Sequence, residues 1–144
     1  MSATHRIHWK WIVIAGFLGE ATVFAVFFLL LFAATVAGVP EIARPMSTLD
    51  YIDALVSSFA TVFLFTLWIG KRIDSAFVVH GVLIGVFGIL LFGIVWLATT
   101  RSLAQPPLYV VAHVLKILGG IAGGLVAEKR KQHALPVKPV EARD

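Results

Sequence analysis

The chain has 144 residues, of which 59% are hydrophobic and only 14% are charged, and its mean hydropathy is +0.92. These values lie outside the usual range of a soluble domain and predict an integral membrane protein. The absence of cysteine excludes disulfides, thiolate metal sites and a cysteine nucleophile. The net charge of +4 is concentrated at the ends of the predicted helices. Basic residues there orient a membrane protein and contact anionic lipids, so the bilayer is the expected partner and nucleic acid is not.

Four long apolar segments predict four transmembrane helices, because about 20 helical residues cross a hydrocarbon core about 30 Å thick. The connection between the second and third segments is so short that these two helices must be antiparallel neighbours. We therefore expect an all-α membrane protein, an antiparallel bundle of four transmembrane helices in one domain over residues 11–127. The helices are predicted at about 11–38, 49–70, 75–99 and 107–127, between a cytoplasmic stub (1–10) and a basic, disordered cytoplasmic tail (128–144).

The distribution of Lys and Arg predicts the orientation of the chain. With four spans, both termini lie on one side of the membrane. That side carries nine basic residues and the other side two: Arg6, Lys10, Lys71, Arg72, Lys129, Arg130, Lys131, Lys138 and Arg143 against Arg44 and Arg101. By the positive-inside rule, both termini are cytoplasmic and the protein is a multi-pass protein of the cytoplasmic membrane.

The fourth predicted helix has one small and polar face. His113, Lys116, Gly120, Gly123 and Gly124 fall within an arc of about 100° when each residue turns the helix by about 100°. A protonated lysine near the middle of the bilayer costs at least about 3 kcal/mol without a partner or water. This face is therefore expected to point into the bundle.

Glu20 is the predicted partner of Lys116, because both lie about 14–16 Å above the cytoplasmic ends of their helices. Gly16 and Gly19 share the face of Glu20, which predicts a small-residue face complementary to the glycine face of the fourth helix. Three alternatives stay open. The pair fixes helix register, or Glu20 exchanges protons or binds a cation in a polar cavity, or the two side chains do not meet.

Two membrane histidines, His80 and His113, raise the question of a bis-histidine haem. The predicted topology separates them by about 15 Å in depth, too far for both to ligate one iron. Each imidazole is instead expected to form a hydrogen bond across a helix interface. We expect no cofactor and no metal.

Glycines recur at four-residue spacing, a pattern typical of close helix packing in membranes. The packing either lies within one chain or joins copies into a homo-oligomer. The pairs are Gly81 with Gly85, Gly119 with Gly123, and Gly120 with Gly124.

No hydrolase, redox or nucleotide-binding motif occurs in the chain. We expect no catalytic residues and no enzymatic activity.

The segment Ala15-Gly16-Phe17-Leu18-Gly19-Glu20-Ala21, with a lone acid in the first of four spans, is similar to the small multidrug resistance transporters. That resemblance implies that Glu20 binds protons and cationic drugs in turn. This chain departs from that family in its length and in carrying Lys116 at the depth of the acid.

A second resemblance covers more of the chain. His80-Gly81 and Gly85 follow a Gly-Lys-Arg turn, and Lys116-Ile117-Leu118-Gly119-Gly120 precedes Gly123-Gly124 in the fourth helix. This pattern resembles a group of small four-span bacterial membrane proteins of unknown function, and it implies an architecture without an activity.

Together these observations predict a small, non-enzymatic membrane protein, a scaffold or an accessory subunit of a membrane complex. Its partner would be another membrane protein or further copies of itself. The alternative is a proton-coupled transporter of small molecules or ions that uses Glu20.

Overall fold

The computed structural model of the chain describes residues 6–39 and 48–134, and all regular structure within these ranges is helical. The helices are α1 (Trp9–Val36), α2 (Thr48–Ile52), a π-helical segment (Asp53–Ser57), α3 (Ser58–Gly70), α4 (Phe77–Thr100) and α5 (Pro107–Ala134).

In the described part of the chain, four helices are long and apolar enough to cross a membrane. They are 21 to 28 residues long, which corresponds to about 32–42 Å at a rise of about 1.5 Å per residue. Large apolar side chains remain exposed along each of them, as expected of helices that face lipid. The four spans are Trp9–Val36, Asp50–Gly70, Phe77–Thr100 and Pro107–Ala134.

The second span is not a continuous α-helix. A π-helical turn at Asp53–Ser57 separates α2 from α3. Such a turn adds one residue to the helix and shifts the facing of later residues by about 100° relative to earlier ones. Both Asp53 and Ala54, at the start of this turn, are buried.

Short connections with left-handed residues join the later helices. Ala76 (φ 55°) directly precedes α4 and Arg101 (φ 54°) directly follows it. Pro107 begins α5, a position where its missing N–H is not needed. In the connection after α3, the Arg72 guanidinium lies 4.9 Å from the ring centre of Trp11 and 4.3 Å from that of Trp68. These contacts between a cation and two aromatic rings link the connection to the start of α1 and to the end of α3.

The last helix is longer than predicted, since α5 ends at Ala134 rather than at residue 127. Glu, Lys and Arg favour a helix and continue it beyond the apolar run. Lys131 also anchors this extension, donating hydrogen bonds to Ile73 O and Asp74 Oδ1, each at 2.6 Å. The remainder of the predicted tail, residues 135–144, lies outside the described residues.

The helices pack around α5, which lies against both α3 and α4, while α1 lies against the same two helices from the other side. Buried residues of α1 extend no further than Glu20, and those of α4 no further than Gly88. A smaller hydrophobic cluster of Ala54, Leu108 and Ala112 lies near the start of α5. The larger hydrophobic cluster occupies the half of the bundle that contains the start of α1. Its members are Ile12, Ala15, Val62, Ile69, Ile73, Phe77, Ile84 and Ala127.

Candidate functional site

Glu20 and Lys116 form a buried ion pair. Lys116 Nζ donates to both carboxylate oxygens of Glu20, at 2.8 Å to Oε1 and 2.7 Å to Oε2. Glu20 is 5% exposed and Lys116 2% exposed, so each charge depends on the other for compensation. The sequence predicts this contact from the equal depth of the two residues, and the structure contains it.

The two helices that carry the pair do not pack closely against each other, because α3 and α4 lie between them. The long lysine side chain spans the distance, passing Gly88 of α4. A Cβ at Gly88 would lie 3.1 Å from Glu20 Oε2 and 3.9 Å from Lys116 Cδ. Gly88 therefore provides the space in which the ions meet.

The glycines beside Glu20 have different neighbours from those expected. Gly16 lies against the side chain of Phe87 in α4, and Gly19 lies against that of Phe65 in α3. The expectation that this face of α1 complements the glycines of the fourth helix is therefore wrong. Phe87 of α4 and Phe65 of α3 occupy that space instead.

The glycines of α5 contact α3 and α4. Gly119 and Gly123 lie against backbone atoms of α3, whereas Gly120 and Gly124 lie against backbone atoms of α4. A Cβ at Gly85 of α4 would in turn lie 3.0 Å from the carbonyl oxygen of Lys116. These contacts hold the backbone around Lys116 in place from both sides.

His80 is fully buried and lies apart from the ion pair. Its Nε2 accepts a hydrogen bond from the backbone N–H of His8 at 3.0 Å, and its Nδ1 donates to Ala76 O at 2.8 Å. One bond thus crosses to the start of α1, as predicted, and the other stays within the first turn of α4. Both ring nitrogens are occupied by backbone groups of the protein.

His113 is half-buried and does not bond across a helix interface. Its Nε2 lies 2.8 Å from Gln105 Oε1, in the connection just before its own helix. The ring meets Phe92 of α4 edge to face, with 5.3 Å between ring centres. The expected cross-helix hydrogen bond is therefore wrong, because Gln105 lies closer and leaves the α4 side of the ring to an aromatic contact.

A cavity of about 110 Å³ lies beside the ion pair, and we call it the acidic cavity. It combines two acids of the second span with the residues predicted on the first and fourth helices. Its lining residues are Glu20, Val23, Phe24, Phe27, Asp50, Asp53, Ala54, Ser58, Phe92, Tyr109, Ala112, His113 and Lys116. The structure thus brings Glu20, Lys116 and His113 to one cavity and leaves His80 outside it.

Among the cavity residues that the sequence did not reveal, Asp53 is a buried acid. Its position at the start of a helix suggests that it complements the helix dipole, a role that needs no burial. In the structure it is 6% exposed, its carboxylate is hydrogen-bonded by the Ser57 side chain, and its Oδ1 has no partner within the described part of the chain. The Asp-x-x-x-Ser spacing is the one signal that could have indicated it.

Within residues 6–39 and 48–134, no group of three or more His, Asp or Glu side chains is arranged to hold a metal ion. The side chains of the acidic cavity can form ion pairs and hydrogen bonds, and its aromatic rings can contact cations.

Comparisons with protein-family models, with curated proteins and with solved structures find no match to this chain.

Proposed function

We propose that the protein is a multi-pass protein of the cytoplasmic membrane, an antiparallel bundle with both termini in the cytoplasm. Contacts between α4 and α5 support the antiparallel arrangement, because Gly81 lies opposite Gly120 and Val78 lies opposite Gly124. Residue numbers thus increase along α4 in the direction in which they decrease along α5. The nine-to-two distribution of Lys and Arg supports the cytoplasmic termini.

The chain's lack of cysteine makes this orientation testable. Single cysteines at Lys129 and at Leu103, both exposed, would be labelled in intact cells with a membrane-impermeant maleimide. We expect labelling at position 103 only. Labelling at position 129 alone would show the orientation opposite to the one proposed, and labelling at both positions would contradict the four-span arrangement.

Within the membrane, we propose a non-enzymatic role as a scaffold or accessory subunit. The observation that carries this proposal is the ion pair, in which both oxygens of Glu20 accept bonds from Lys116 in a buried setting. A carboxylate held in this way stabilises one arrangement of α1 and α5. A fixed shape suits a subunit that presents its outer surface to another membrane protein or to a second copy.

Proton-coupled transport through Glu20 is the second candidate, and the acidic cavity favours it because the cavity reaches Glu20. A carrier of this kind requires Glu20 to lose its partner and exchange its proton during each cycle. The scaffold requires the pair to persist.

A double-mutant cycle distinguishes these roles. Glu20→Gln, Lys116→Met and the double variant would be unfolded in detergent at several pH values from about 5 to 9, across the range in which a perturbed buried carboxyl titrates. For the scaffold, each single variant loses about 3–5 kcal/mol by leaving one charge unpaired, and the double variant recovers part of that loss. Additive losses, with stability that changes near neutral pH only while Glu20 is present, would contradict the scaffold and support transport.

A flux measurement gives an independent answer. Protein in liposomes would be given an outward proton gradient and a fluorescent organic cation as the probe. The scaffold predicts that wild-type and Glu20→Gln vesicles take up the cation equally. Uptake by the wild type alone would overturn the scaffold proposal.

A further inference from the structure

Two residues that line the acidic cavity each carry a buried polar side-chain atom that has no hydrogen-bond partner within the described residues. One is Asp53 Oδ1 and the other is His113 Nδ1. Their residues come from different helices and line the same cavity. A buried polar atom without a partner costs about 1–3 kcal/mol, so two at one cavity indicate a ligand that supplies what both require.

Both atoms are hydrogen-bond acceptors. A bound cation would hold the Asp53 carboxyl in its ionised form, in which both oxygens only accept hydrogen bonds. For His113, the ring nitrogen Nε2 faces the amide oxygen of Gln105 at 2.8 Å and therefore carries the proton. In a neutral imidazole the other nitrogen then has a free lone pair, so Nδ1 accepts as well. A ligand that satisfies both atoms must donate at least two hydrogen bonds.

In its ionised form Asp53 would need a cation of its own, because Lys116, the lysine that acts electrostatically on it, gives its hydrogen bonds to Glu20. The charge of Glu20 is compensated by Lys116. No basic side chain of the described residues forms an ion pair with Asp53, whose hydrogen bond comes from the uncharged Ser57. A positively charged donor would meet the carboxylate and the imidazole together.

Aromatic rings form much of the remaining wall. Phe24 and Phe27 come from α1, Phe92 from α4 and Tyr109 from α5. Aromatic faces attract cations and also pack against short alkyl groups. A dry cavity of about 150 Å³ holds a benzene molecule, so a cavity of about 110 Å³ admits a ligand of only a few heavy atoms.

We propose that the acidic cavity binds a primary ammonium group, which donates to Asp53 Oδ1 and His113 Nδ1 while its alkyl part packs against the aromatic wall. A quaternary ammonium has no N–H to donate, and within the described ranges no three His, Asp or Glu side chains are grouped to hold a metal ion. The ammonium belongs to a free small amine or to the headgroup of an aminophospholipid. This site goes beyond the scaffold role and does not depend on it.

The test uses purified full-length protein in a maltoside detergent, titrated calorimetrically with ethylammonium chloride. Sodium chloride and tetramethylammonium chloride at equal ionic strength are the comparison salts. We expect ethylammonium alone to bind. Asp53→Asn, which keeps the shape of the side chain and removes its charge, should weaken binding by about tenfold or more, whereas the control Asp74→Asn, on an exposed residue outside the cavity, should bind as the wild type does. Equal binding of tetramethylammonium, or unchanged binding by Asp53→Asn, would overturn the proposal.

A second measurement needs no variant and therefore does not depend on whether Asp53→Asn folds. The nitrogen chemical shifts of His113 in selectively labelled wild-type protein report whether Nδ1 accepts a hydrogen bond. Ethylammonium should shift the Nδ1 signal, and tetramethylammonium should leave it unchanged. A signal that does not respond to ethylammonium would contradict the site.

Lipid distinguishes the two sources of the ammonium group. The ethylammonium titration would be repeated in detergent supplemented with phosphatidylethanolamine or with phosphatidylcholine. Competition by phosphatidylethanolamine alone assigns the site to a lipid headgroup, and competition by neither assigns it to a free amine. Competition by phosphatidylcholine, whose headgroup has no N–H, would contradict the hydrogen bonds proposed here.

Discussion

Gly81 of α4 and Gly120 of α5 bring the backbones of their helices into direct contact. The carbonyl oxygen of each occupies the place where the Cβ of the other would stand. Because the obstacle is backbone on both sides, no side-chain movement can relieve it. Van der Waals contact of this kind holds membrane helices together where lipid removes the hydrophobic drive between them.

Gly120→Ala should therefore destabilise the protein by about 1–3 kcal/mol or prevent folding, because the added methyl forces α4 and α5 apart. The matched control is Gly93→Ala, since a Cβ at Gly93 meets nothing within 4 Å. Unfolding in a series of dodecyl sulfate mixtures measures both variants. Equal stability of the two variants would contradict the close backbone contact between Gly81 and Gly120.

Gly88→Val should weaken the ion pair without removing either charge. A side chain at Gly88 pushes Glu20 Oε2 away from Lys116, so we expect a loss of about 1–3 kcal/mol. The loss should be smaller in a Glu20→Ala/Lys116→Met background, where no pair remains to be disturbed. Measuring the free energy of unfolding of all four proteins tests this coupling. An equal loss in both backgrounds would show that Gly88 does not act through the pair.

His80→Phe should loosen the start of α1. The substitution keeps an aromatic ring in a fully buried place but leaves the backbone N–H of His8 without its acceptor, at a cost of about 1–3 kcal/mol. Amide hydrogen exchange of residues 8–12 should become faster. The control is His133→Phe, whose exposed ring bonds the carbonyl of Lys129 in its own helix, and exchange in α1 should not change there.

Asp74 should titrate at lower pH in the wild type than in Lys131→Met. The hydrogen bond and the positive charge of Lys131 hold the pKa of this carboxyl below its ordinary value. Because the folded pKa is the lower one, the contact stabilises the fold above the ordinary pKa of an aspartate, and that contribution is lost as the pH falls through the folded value. Nuclear magnetic resonance titration of the carboxyl carbon measures the shift. Lys129→Met is the control. An equal effect of both variants would indicate that loss of any nearby positive charge shifts the pKa of Asp74, rather than loss of the contact with Lys131.

The sequence predicts the four spans and the partner of Lys116, but it does not predict how the partner is reached. The predicted depth along the membrane follows from counting residues, and Glu20 is the acid predicted at the depth of Lys116. The lateral order of helices depends on which surfaces interlock. That order places α3 and α4 between α1 and α5, and it turns Gly16 and Gly19 toward phenylalanines.

The burial of Asp53 is a second feature that the sequence does not predict. An acid in the first turn of a helix is adequately explained by the helix dipole. Asp53 lies at the start of the π-helical turn, whose extra residue changes the facing of the helix, and it lines a cavity together with aromatic residues of three other helices. Neither effect is encoded in the spacing of apolar residues.

The sequence by itself predicts the helical class, the four helices long and apolar enough to cross a membrane, and the matching positions of Glu20 and Lys116 along their helices, because the bilayer is a uniform solvent that sorts residues by polarity and length. Only the tertiary structure decided which helices touch, where the hydrogen bonds of the histidines go and which acid lines the cavity beside the ion pair. Those outcomes depend on shape complementarity between whole helix surfaces. A uniformly apolar sequence gives many helix packings similar energies, and close backbone contacts at glycines favour one of them.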